Sequence, residues 1–108
     1  MPLTPKKFYQ STLTGVNALL KTIPPGQTAE IKQISMVNRG TEASYVYLYF
    51  LDNADTANSG NAFLFKFKID AYEHVEYGTW QIIEPGGSIW GYACGSSINI
   101  RISGMLSL

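Results

Sequence analysis

Residues 44–51, Ser-Tyr-Val-Tyr-Leu-Tyr-Phe-Leu, constrain this chain more than any other stretch. A strand turns successive side chains to opposite faces. One face then carries Val46, Leu48 and Phe50, and the other Tyr45, Tyr47 and Tyr49, with Leu51 at its end. The first is a core face, each side chain contributing roughly 1.5–3 kcal/mol on burial. The three tyrosines bring on the order of 450–750 Å² of ring surface, whereas a monomer seldom exposes a patch above roughly 300–600 Å². That face calls for a cover, from elsewhere in the chain or from another chain. The pattern points to binding or assembly more than to a reaction.

Around this strand the punctuation is that of a β protein. Residues 1–11, with Pro2, Pro5 and the pair Phe8-Tyr9, read as an extended N-terminal arm, and residues 12–108 as the folded domain. Residues 12–23 read as a strand interrupted near Gly15, and Pro24-Pro25-Gly26-Gln27 as the turn that ends it. From Thr28 to Asn38, Ala29 and Ile31 share one parity while Ile34 and Met36 share the other. A bulge at Lys32-Gln33 explains the switch. Residues 52–61 form the longest polar loop. Residues 62–69 return as a strand, with Phe63, Phe65, Phe67 and Ile69 on one face and Leu64, Lys66 and Lys68 on the other. Beside the tyrosines, those lysines would be placed for cation–π contact. Residues 72–83 read as one or two short strands broken at Gly78, and Glu84-Pro85-Gly86-Gly87 as a turn before a strand at 88–93. The last strand starts near Ser97 with Ile98, Ile100 and Ile102 inward, is interrupted at Gly104, and leaves the apolar tail Met105–Leu108.

No sustained 3.6-residue period competes with this reading. Seven to eight short strands with turns at roughly 8–12-residue spacing describe an all-β, antiparallel β-sandwich. Jelly-roll and immunoglobulin-like arrangements both remain open. At 108 residues the chain is sized for one such domain.

Reactive and charged side chains are sparse. The 15 % charged content is below the usual ~25 %, leaving a surface of small polar and aromatic residues suited to protein contacts. Eight basic and eight acidic residues balance, and no basic run exceeds Lys6-Lys7, so no nucleic-acid partner is expected. No stretch approaches the ~18 apolar residues of a membrane helix, and no apolar run follows the first lysines, so neither a membrane partner nor a secretory leader is expected. His74 is the single histidine, flanked by Glu73 and Glu76, with no third group in sequence to complete a nucleophilic site. Cys94, the single cysteine, reads as a small buried hydrophobe. No catalytic residue, metal ligand or cofactor is assigned. Asp52, Asn53, Asp55 and Asn58 offer oxygens for calcium but lack EF-hand spacing and a closing glutamate, and an Asp/Asn-rich turn explains them. Trp80 and Trp90 are the possible ligand contacts, as a stacking platform for sugars; a place in a core or interface is the plainer explanation.

Several segments together resemble a family of small bacteriophage virion proteins, found among tail, neck and capsid-accessory components. They are Leu19–Lys32 with its Pro-Gly turn, Ile34–Asn38, Val46–Phe50, Ile83–Trp90 and Ile98–Gly104, spanning roughly residues 19–104. Relatives commonly place Gly-Asp where this chain has Gly86-Gly87, so any contact made by that acid is absent here. The resemblance implies a non-enzymatic β-sandwich subunit on a virion, made in the host cytoplasm, and supplies no catalytic residues. The expected partners are further copies of itself, a trimer being favoured, and other virion proteins. The expected contacts are Phe8, Tyr9, Tyr45, Tyr47, Tyr49, Met105, Leu106 and Leu108. The alternative is a carbohydrate- or host-receptor-binding module that meets a host glycan through Trp80, Trp90 and the 52–61 loop.

Overall fold

Eight strands, separated by the turn residues read above, build the molecule: β1 (Leu3–Thr12), β2 (Ala18–Thr22), β3 (Ala29–Asn38), β4 (Ser44–Leu51), β5 (Ala62–Ile69), β6 (His74–Ile83), β7 (Ser88–Gly95) and β8 (Ile98–Ser107). The computed structural model describes residues 3–95 and 97–107. Two four-stranded antiparallel sheets result. Sheet A has the order β1-β8-β3-β6 and sheet B the order β2-β7-β4-β5.

The pairings β1–β8, β2–β7, β3–β6 and β4–β5 are those of one long hairpin folded at residues 52–61 and then rolled. Rolling adds the contacts β3–β8 and β4–β7, which close each sheet. This is the jelly-roll arrangement, and it decides between the two topologies the sequence leaves open.

Both Pro-Gly turns use one piece of chemistry. In Pro24–Gln27 and Glu84–Gly87 a proline at the second position precedes a glycine with φ +81° or +82°, and the fourth residue's N–H donates to the first carbonyl at 3.2 and 3.0 Å. These are type II turns, whose third position favours glycine. The two turns lie side by side: Ile23 N–H donates to Gly87 O at 2.8 Å and Gly86 N–H to Ile23 O at 3.2 Å. The hairpin thus stays paired where it crosses between sheets.

Between the sheets lies an isoleucine-rich core, including Ile23, Ile31, Ile34, Ile69, Ile83 and Ile89, with Met36, Val46 and Leu48. Ile98, Ile100 and Ile102 point inward as their alternation predicts. The parity switch in β3 is also real, since its ladders to β6 and β8 both slip between Ile31 and Gln33.

Four sequence expectations need correction. Residues 3–12 are no free arm; they form edge strand β1, hydrogen-bonded along β8 from Leu3 opposite Ser107 to Thr12 opposite Asn99. Pro5 is accommodated because an edge strand has unpaired positions. A bulge between Lys7 and Tyr9 turns Phe8 into the core, 5 % exposed, with Tyr9 packed against it. The C-terminal stretch continues β8, so Leu106 belongs to the core while Met105 sits opposite Pro5; Leu108 lies outside the described residues. Gly78 and Gly104 interrupt nothing: β6 and β8 run through them. Finally, Lys66 takes a left-handed φ of +53° in β5. That irregularity buries Leu64 and sends Phe65 outward, away from the core that Phe63 and Phe67 flank.

Candidate interaction surface

The tyrosine face of β4 is the outer face of sheet B. Tyr47, Tyr49 and Leu51 form a second apolar cluster, apart from the core, with Ala57, Ala62, Trp90 and Tyr92 packed against it. Register explains the grouping: Tyr47 lies opposite Tyr92 and Tyr49 opposite Trp90 on β7, while Tyr49 faces Ala62 on β5. The Tyr47 and Tyr92 rings stack at 4.4 Å with planes 2° apart, and Phe65 meets Tyr47 edge-on at 5.2 Å. Such pairs contribute about 0.5–1.5 kcal/mol beyond area burial. Desolvation, then the nearby Cys94 and tyrosines, pushes the Tyr47 phenol above its usual pKa; desolvation followed by Tyr49 does the same for Tyr92. The Tyr47 and Tyr92 phenols are therefore neutral at physiological pH.

Part of the cover demanded by the tyrosines therefore comes from their own chain. Tyr47 and Tyr49 are 9 % and 5 % exposed. A rim stays open: Tyr45, Phe65 and Leu19 are 40 %, 50 % and 49 % exposed. The outward positions of the two central strands are Tyr45, Tyr47, Tyr49 and Leu51 on β4, and Ser88, Trp90, Tyr92 and Cys94 on β7, without one charge. Cys94 shares that outward parity and is exposed, correcting the buried reading. Lys68 stands opposite Tyr45, but its ammonium pairs with Asp70 at 3.6 Å. Among the described residues the cation–π contact is another one, Lys32 over the Trp80 ring at 4.9 Å.

The two tryptophans make no joint platform. Trp80, on β6, lies on sheet A, where its Nε1 donates to Glu30 Oε1 at 2.8 Å. Trp90, on β7, lies on sheet B, where its Nε1 donates to Ser88 Oγ at 3.0 Å. Trp90 does meet the 52–61 loop: Asn17, Leu51, Asp55, Thr56, Ala57 and Trp90 line a pocket of about 270 Å³. The loop is ordered by its own amides. Asn58 Oδ1 accepts from Gly60 N–H at 2.8 Å and Asn61 Oδ1 from Asn58 N–H at 2.9 Å, around a single 3-10 turn at Ser59–Asn61. These oxygens serve the turn the composition predicts.

On sheet A the fold brings together Ser35, Glu76 and His74, a grouping invisible to sequence spacing because Ser35 arrives from β3. Glu76 stands between the other two. Its Oε2 accepts from Ser35 Oγ at 2.5 Å and Gln33 Nε2 at 2.7 Å, and its Oε1 contacts His74 Nε2 at 2.8 Å. Nucleophile activation needs the base beside the hydroxyl and the acid behind the base; here the acid occupies the middle. The Ser35 and Gln33 bonds hold the Glu76 pKa below its usual value.

No family model, curated protein or solved structure matches this chain.

Proposed function

We propose that the chain is a non-enzymatic structural subunit of a bacteriophage virion, a capsid-decoration, neck or tail component that assembles through the outer face of sheet B. The observation that carries this reading is the charge-free aromatic surface of β4 and β7 with its open rim of Leu19, Tyr45 and Phe65. An antiparallel sheet with one solvated face normally turns polar residues to water; a depletion of charge with aromatic enrichment is the composition of an interface centre. Sheet A is mixed: Gln33, Ser35, His74, Glu76, Asn99 and Arg101 face outward beside exposed Val37, Trp80 and Ile82, so the contrast between the faces lies in charge. The virion assignment draws on the segments that resemble phage proteins and on the use of jelly rolls in viral particles, which is an argument by analogy.

The test is the solution mass by light scattering across a concentration series. A stable oligomer of ~12 kDa units, a trimer by this reading, is expected, and Tyr45→Asp with Phe65→Asp should return it to monomer with an unchanged β-sheet spectrum. Both side chains are exposed, so the double variant still folds. A wild-type chain that stays monomeric throughout overturns self-assembly. Tyr47→Ser is a poorer probe, because its ring is stacked inside the subunit.

A second reading rests on the Trp90 pocket, where an indole stands with Asp55, Thr56 and Asn17 as sugar-binding sites combine stacking with polar groups. Glycan-array binding that Trp90→Ala abolishes would favour it.

A further inference from the structure

Four of the eight cations in this chain, Lys6, Lys7, Lys32 and Arg101, line one open groove of about 420 Å³ on sheet A, together with Ser103 and Met105 among others. They come from three adjacent strands: two from β1, one from β8 and one from β3. Among the described residues, no aspartate or glutamate lines the groove. In a chain whose formal charge is zero, this concentration is a product of the fold. Like charges gathered on one surface repel one another and attract counter-ions.

We propose that this groove binds a small ligand carrying two or more phosphate groups. Arg101 supplies the guanidinium at one end of the groove, whose middle is Ser103 and Gly104 opposite Lys7 and Lys6. This arginine lies on β8, between β1 and β3, and its side chain makes no ion pair among the described residues. A free guanidinium presents a planar fork of donors suited to phosphate oxygens. Lys32 is held in place beforehand. Its ammonium lies 3.6 Å from Glu30 Oε1 and 4.9 Å from the Trp80 ring centre, while Trp80 Nε1 holds the same Glu30 oxygen. That arrangement gives the exposed Trp80 a role on this face. Glu76, the other acid on this face, is engaged by Ser35, Gln33 and His74. The Ser103 hydroxyl offers one more donor. The groove's volume lies within the roughly 300–1,000 Å³ of small-molecule sites, more than one oxyanion fills, and its several cations match a ligand with several charges.

The experiment is calorimetric titration of the full chain with inorganic tripolyphosphate at low salt, with inorganic phosphate and a nucleoside triphosphate in parallel. Saturable binding of one tripolyphosphate per chain is expected, tighter than inorganic phosphate, and at least ~10-fold weaker in Arg101→Ala, a factor equal to about 1.4 kcal/mol. Arg101→Lys should recover part of the loss. Equal affinity for the nucleotide means that phosphate alone is recognised; tighter nucleotide binding places the rest of the ligand in the groove as well, and both results uphold the site. The control is Lys66→Ala with Lys68→Ala, which removes two cations from β5 on the other sheet. No saturable heat at low salt, or an equal loss in this control, overturns the proposal. Sheet B is untouched by the Arg101 variants, so a failure here leaves the light-scattering result standing, and the reverse.

Discussion

Asn38 holds the roll together at a single residue. It is fully buried, yet every polar atom of its amide is used: Nδ2 donates to Glu42 O at 2.8 Å and Ile69 O at 3.0 Å, and Oδ1 accepts from Gly40 N–H at 2.9 Å. Its backbone N–H donates to Glu73 O at 2.9 Å. One side chain therefore ties the β3–β4 turn to the end of β5, where the chain crosses between sheets. Asn38→Leu keeps the branched skeleton, with somewhat more bulk, but removes the bonds to the Ile69 carbonyl and the Gly40 N–H, at about 1–3 kcal/mol for each group that water cannot reach. A loss near 3 kcal/mol is expected, read as a lower urea midpoint with an unchanged denaturant slope. A loss below about 0.5 kcal/mol, the scale of ordinary surface changes, would mean that water takes over those bonds. From sequence, Asn38 is only a polar residue at a strand end; its decisive partner, Ile69, lies 31 positions away. Residue-level features of this kind stay hidden when their partners are non-local, and the Ser35–Glu76 contact was hidden for the same reason.

Among the elements, the legible features are local ones. The alternation in 44–51 and 98–102, the two Pro-Gly turns and the bulge in β3 all follow from spacing within a few residues. What misled was a rule applied without its partner strand. Gly78 and Gly104 read alike as strand breakers, and the structure gives them different parts. At Gly104 an added Cβ would overlap the Glu30 carbonyl, because β8 passes close to β3 beside the bulge; at Gly78 the nearest atom is the far end of Gln33, at 3.9 Å. Gly104→Ala must push two central strands apart, and overpacking of this kind costs about 1–3 kcal/mol or more. Gly78→Ala makes only an ordinary van der Waals contact, outside the left-handed φ region, and reduces the freedom of the unfolded chain, which stabilises by about 0.4–1 kcal/mol where the backbone allows it. Thermal unfolding of the two variants should therefore move in opposite directions. Equal shifts would remove the close approach as the reason for Gly104. The Lys66 irregularity in β5 has no such local signal, so alternation alone puts Phe65 on the wrong face.

At the scale of the molecule, the two outer faces differ in kind, and salt separates them. The central strands of sheet B show an uncharged aromatic surface, with Lys68 on β5 at its edge, and sheet A a cationic groove. Raising NaCl from ~0.1 M to ~1 M shortens the Debye length from about 10 Å to about 3 Å. Attraction between an exposed basic groove and a phosphate ligand fades under that screening, whereas burial of aromatic surface does not depend on it. The expected outcome is that tripolyphosphate affinity falls at least ~10-fold across this range while the oligomer mass by light scattering holds. An oligomer that dissolves as salt rises would place the subunit contact on charged groups, and the aromatic face would lose its assignment. Phosphate binding indifferent to salt would show that Lys6, Lys7, Lys32 and Arg101 act through something other than their charge. This division was the least legible property in the sequence, where Lys6-Lys7, Lys32 and Arg101 are scattered and the overall charge is zero. It emerges only once rolling the hairpin lays β1, β8 and β3 side by side and leaves β7 and β4 together on the other sheet.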